Sequence, residues 1–180
     1  MTLTFKVCLL TLFAGFLAFA GCTNDVPPAV PSTASSASAI DGSQFLLMEE
    51  PDDAADVVKV REESSDGDDV VLVGRIGGSV DPWVKGRAAF SIVDGSLKAC
   101  SDIPGDECPK PWDYCCETDK LANSMALVKL VDREGTLVKA DARQLLGVTE
   151  LSTVVVKGTA QRDDTGNLTV LATSVFVKQK

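Results

Sequence analysis

From Val70 onward, apolar and polar positions alternate in short runs, the period-two pattern of half-buried strands. Val70 to Ile76 is a β-branched run closed by Gly77-Gly78, and Ala88 to Val93 sets Phe90 and Ile92 on one face. Ala126 to Val131 predicts a third strand, which Arg133-Glu134-Gly135 turns into a short one, Thr136 to Lys139. Asp141 is placed to cap a short helix, Ala142 to Leu146, which Gly147 stops. Ser152 to Gln161 puts Val154, Val156 and Gly158 on one face; Asp163 to Asn167 is a hairpin loop, and Leu168 to Val177 is the last strand. This β-patterned stretch of about 110 residues is enough for one core and not for two.

The pattern before Val70 differs. Residues 1–21 carry a short n-region with Lys6, an apolar run from Val7 to Phe19 and a small-residue ending, the plan of a secretory signal. Phe19-Ala20-Gly21-Cys22 resembles the lipobox of bacterial lipoproteins, with Phe19 where that motif carries Leu. The resemblance implies that Cys22 is acylated, becomes the mature N-terminus and holds the domain at a membrane surface. Residues 22–43 are rich in Ala, Ser, Pro and Thr and read as a flexible tether. Residues 44–69 form an N-terminal extension and linker. Phe45-Leu46-Leu47-Met48 and Val57, Val58 and Val60 predict a short amphipathic helix, in two pieces around Pro51, and Ser64 to Asp69 is polar and turn-rich.

Charge and composition exclude several chemistries. The 180 residues hold 17 Lys+Arg, 26 Asp+Glu and no His, for a net charge of −9. Without His there is no Ser-His-Asp or Cys-His nucleophile and no imidazole base or metal ligand. The acidic balance argues against nucleic acid as a partner. No catalytic residue is assigned and no cofactor is expected.

The unusual chemistry lies in an insert, Leu97 to Leu121, between the second and third expected strands. It carries Cys100, Cys108, Cys115 and Cys116, stiffened by Pro104, Pro109 and Pro111. In an oxidising compartment, four cysteines in a loop without a core predict structural disulfides, with Cys100 and Cys108 each bonding one of the adjacent pair. Which bonds which is open. Two other uses compete with this one. Four thiolates can hold a metal, although the absence of a CxxC pair and the adjacency of Cys115 and Cys116 suit a tetrahedral site poorly, so no metal ligand is assigned. A strained Cys115–Cys116 bond can act as a redox switch. The insert's carboxylates, Asp102, Asp106, Glu107, Asp113, Glu117 and Asp119, lack the regular spacing of a calcium loop and read as a solvated acidic face.

Trp112 and Tyr114 also lie in the insert, and Trp83 lies in the loop joining the first two strands, so every Trp and Tyr falls in two loops. They are candidate binding residues for a partner protein or small ligand. The alternative is that they plug the barrel mouth or pack on the disulfides.

The order strand, strand, insert, strand, helix, strand, strand is similar to that of OB-fold proteins. Val73-Gly74-Arg75-Ile76 with Ala89 to Asp94 resembles their first hairpin, and Val155-Val156-Lys157-Gly158 with Leu168-Thr169-Val170 their last. The fold expected for residues 70–180 is therefore mainly β, a small OB-like five-stranded barrel with one short helix and a disulfide-fastened insert at 97–121. With the lipobox and Pro111-Trp112-Asp113-Tyr114-Cys115-Cys116, the chain resembles a family of bacterial envelope lipoproteins to which no activity is assigned. Haem-chaperone OB proteins attach haem through a histidine that this chain lacks. The expected function is that of a non-enzymatic envelope lipoprotein, anchored to a membrane and facing the periplasm or exterior. It would present aromatic loops to an envelope protein or small ligand; thiol-redox or metal handling by the cysteine cluster is the alternative.

Overall fold

The computed structural model describes residues 40–179; the expected signal, Cys22 and most of the tether lie outside that range. Six strands form one sheet that closes on itself. They are β1 (Ala55–Asp56), β2 (Asp69–Ile76), β3 (Ala89–Val93), β4 (Met125–Leu130), β5 (Thr153–Arg162) and β6 (Leu168–Val177). Their order is β1-β2-β3-β4-β6-β5, and β5 returns to β2, so β2 to β6 make a closed five-stranded barrel with β1 added outside. All barrel pairs are antiparallel except β4 with β6. Closure removes the free edges that an open sheet would expose.

The barrel is filled by side chains. Leu72, Ile76, Phe90, Ile92, Val128, Leu130, Val154, Val156, Val170 and Val175 are fully buried, as the period-two pattern requires. At Gly158, where β5 slips register against β6, a Cβ would sit 2.2 Å from the carbonyl oxygen of Leu171. The strands approach there too closely for any side chain.

Three short helices complete the domain: α1 (Val57–Glu63), α2 (Thr118–Leu121) and α3 (Ala142–Leu146). The α3 signals act as read from the sequence. Asp141 accepts the Arg143 backbone N–H at 2.9 Å, and Gly147 ends the helix at φ +67°. Among the described residues no helix is long and apolar enough to cross a membrane.

Several elements differ from expectation. Thr136 to Lys139 is not a strand; only Leu137 makes a single bridge, to Val131. The Asp132 carboxylate takes the Glu134 and Thr136 N–H groups, tightening a turn too short for a ladder. Upstream, the helix begins at Val57, and the segment before Pro51 is a single 3-10 turn, Gly42–Phe45, followed by extended Leu46. Asp41 to Ser43, expected at the end of the tether, belong to this turn and its cap. Phe45, Val57 and Val60 are buried in the barrel's own core, and Leu46 bridges to Val175 on β6.

Candidate functional site

The insert leaves β3 at Asp94 and rejoins the barrel at β4. Its seat is made by Gly77-Gly78 at the end of β2. The Gly78 N–H donates to the Trp112 carbonyl at 2.8 Å, and a Cβ on Gly77 would lie 2.5 Å from that same oxygen. Gly78 has φ +86°, a region that side-chain-bearing residues rarely adopt. On the neighbouring side, the Arg75 guanidinium pairs with the Asp102 carboxylate. That partner, with its hydrogen bonds, holds Asp102 below the ordinary carboxylate range against the opposing effect of burial.

Beneath the insert lies a second, small core of Val93, Leu97, Ala99 and Tyr114, with Leu121, Met125 and Leu151 against it. Tyr114 is the largest fully buried side chain in the domain. This corrects two expectations. Tyr114 offers no exposed ring to a ligand, and the insert is not a loop without a core. Burial raises the Tyr114 phenol above its usual range, and its hydroxyl has no hydrogen-bond partner.

The two tryptophans are half-buried. Trp83 packs on the barrel rim: its Nε1 donates to Glu150 Oε1 at 2.7 Å, its ring lies 5.8 Å from that of Phe90, and the Arg143 guanidinium stacks 5.5 Å from its centroid. Trp112 lies outside the small core, with Lys110 Nζ 5.4 Å from its ring, and its Nε1 donates to the Val80 carbonyl at 3.3 Å. Val80 and Val84, in the same β2–β3 loop, are among the few exposed large apolar side chains, 59% and 42% accessible. The structure thus brings Trp112 and the β2–β3 loop together at the insert, while Trp83 serves the barrel rim.

All four thiols converge. Cys115 Sγ lies 3.3 Å from Cys100 Sγ, 3.7 Å from Cys108 Sγ and 4.0 Å from Cys116 Sγ. No two of these sulfurs lie at disulfide-bond distance in this structure. Cys100 is buried, on a 3-10 turn, Cys100–Asp102, while Cys115 and Cys116 are exposed on another, Cys115–Glu117. Tyr114, at φ +60°, reverses the chain just before them. Both adjacent cysteines thereby bring their sulfurs to within 4.8 Å of Cys100 Sγ. Asp106 joins the group, its Oδ1 accepting the Cys108 N–H at 2.6 Å and its Oδ2 facing Cys116 Sγ at 3.5 Å.

These contacts set the protonation order. Burial pushes the Cys100 thiol up, but hydrogen bonds from Cys115, Cys108 and the Cys116 amide outweigh it, so Cys100 falls below the usual thiol value. Cys115 is pushed far up, first by its hydrogen-bond contacts with Cys100 and Cys108, which favour its protonated form. Cys116 is pulled down by Cys115 but more strongly raised by Asp106 and burial, and ends above its usual value. The thiolate-favouring sulfur is therefore the buried one.

Sequence spacing set a metal aside for want of a CxxC pair, for the adjacency of Cys115 and Cys116 and for competing oxidation. The structure answers the adjacency: beyond the left-handed Tyr114 both sulfurs lie within 4.8 Å of Cys100 Sγ. No local signal marks a non-glycine residue for positive φ; only the small core that buries its ring requires it there. No protein-family model matches the chain, and no curated protein is significantly similar to it.

Proposed function

We propose that this chain is a non-enzymatic, lipid-anchored protein of the cell envelope, with the barrel as platform and the cysteine insert as binding surface. Cys22 would carry the lipid and the segment after it the tether, so that the domain faces the periplasm or exterior. The ligand is a small species or an envelope protein that meets the insert and the β2–β3 loop.

The observation that carries this reading is how the insert is fastened. Its own small core, the Gly77-Gly78 seat and the Arg75–Asp102 pair hold it to the barrel through contacts that do not involve sulfur–sulfur bonds. Four converging thiols and a half-buried Trp112 beside exposed Val80 are then in excess of what the fold needs. Hydrogen exchange on the full chain tests it, comparing envelope extract with plain buffer. Protection gained at 77–84 and 97–121 is the expected result; protection gained only elsewhere, or nowhere, overturns it.

The thiol-redox alternative has less support. Exchange with an external disulfide calls for an accessible thiolate, and here the two exposed thiols are raised while the lowered one is buried.

A further inference from the structure

The insert's binding role leaves its ligand class open, and the sulfur geometry narrows it. A tetrahedral centre with metal–sulfur bonds of about 2.3 Å has sulfur–sulfur edges of about 3.8 Å. The three edges at Cys115 measure 3.3, 3.7 and 4.0 Å and bracket that value. A disulfide needs about 2.05 Å, so every pair would have to move by more than an ångström to bond. Cys100 belongs to two compact donor sets: its sulfur lies within 4.8 Å of those of Cys115 and Cys116, and likewise of Cys108 Sγ and an Asp106 oxygen. No imidazole competes, because the chain has no His.

We propose that Cys100, Cys108, Cys115 and Cys116 form a tetrathiolate site for a thiophilic divalent cation of the zinc class. This rests on the insert being the binding surface and names its ligand. Soft thiolate donors select zinc-class ions over calcium or magnesium, which require oxygen. Asp106 fixes the Cys108 backbone and faces Cys116, so it orients two ligands without being needed as a fifth. Exposed Cys115 and Cys116 give the ion its way in, and buried Cys100 closes the far side. Each thiol releases its proton to solvent as its sulfur binds the cation. No oxidant or reductant is consumed, and binding is tighter as pH rises.

The test uses the full chain, purified from an oxidising compartment without reductant and weighed intact under native conditions. One zinc per chain is expected. The reduced chain, titrated with cobalt(II), should develop the visible bands of tetrahedral thiolate cobalt at one equivalent. Cys115→Ser should abolish that spectrum and the stoichiometric zinc. Asp106→Asn should retain the spectrum and lose no more than about 100-fold in affinity, the scale of an outer-shell partner. A mass deficit of about 4 Da with no metal, together with no cobalt spectrum after reduction, overturns the proposal. So does a spectrum unchanged in Cys115→Ser. If Cys115→Ser fails to fold, Cys108→Ser, at a half-buried position outside the small core, provides the same comparison. Protection of the insert in envelope extract without bound metal would refute the ion and leave the binding surface standing. Loss of both would refute both.

Discussion

At the residue scale, a few side chains have consequences out of proportion to their size. Gly77 lies where the insert crosses β2, and a Cβ there meets the Trp112 carbonyl at 2.5 Å. Gly77→Ala should cost about 1–3 kcal/mol, as overpacking does, and loosen the insert while sparing the barrel. Denaturant titration with hydrogen exchange on residues 97–121 checks this. Asp94 is buried at the end of β3 and accepts the Val58 N–H at 2.8 Å and the Ser96 N–H at 2.9 Å. It thereby caps α1 from another element, since Asp56, at the local cap position, makes no such bond with its side chain. Asp141 shows the charge effect most plainly. Its hydrogen bonds and ion pair with Arg143 hold its carboxyl at about 2, against an ordinary 3.8. A carboxyl depressed in the folded state stabilises fully above 3.8, and that contribution is lost as pH falls through about 2. Asp141→Asn keeps a capping side chain and removes the charge. The gap in melting temperature between wild type and variant should therefore shrink as pH drops across that window.

At the element scale, α1 is too short to be stable alone and is held by tertiary contacts. Asp94 holds its first turn. The Arg162 guanidinium holds its end, donating to the carbonyls of Val60 at 3.3 Å and Ser64 at 3.1 Å as well as to that of Arg61. The carbonyls of this C-terminal turn thereby gain a cation at the negative end of the helix. Arg162→Ala should destabilise by about 1.5–3 kcal/mol, the range for hydrogen bonds to a charged group, and raise exchange in α1 before β5. Equal exchange in wild type and Arg162→Ala would show that Arg162 does not hold α1, leaving buried Val57 and Val60 to do so. The insert is the other element of this kind. Its expected cross-links followed from four cysteines in a loop taken to lack a core, and Tyr114 supplies a core that no periodic pattern announces.

At the scale of the whole molecule, the domain extends further upstream than the strand pattern implies. Phe45 is 4% accessible and shares the barrel core, so Phe45→Ala should cost about 3–5 kcal/mol, as for a buried aromatic, in a single unfolding transition. A loss well under that range would make the extension a separable appendage. The proposed anchor is tested at the same scale: Cys22→Ser should move the chain from the membrane fraction to the soluble one.

The amino-acid pattern by itself determined the barrel's strands. Alternating Val, Ile and Leu set the strands, and Asp141 and Gly147 bounded α3, because these signals are local and repeat; that the strands close into a barrel came from the resemblance of their order to OB-fold proteins. The missing histidines were equally plain. What only the tertiary structure decided was the meeting of distant residues: Gly77 beneath Trp112, Asp94 on α1, and four thiols drawn together by a left-handed turn at Tyr114. Sequence spacing says how far apart cysteines lie along the chain and nothing about the direction of their Cβ bonds. That direction is set by a backbone conformation favoured only once the Tyr114 ring is buried among Val93, Leu97 and Ala99.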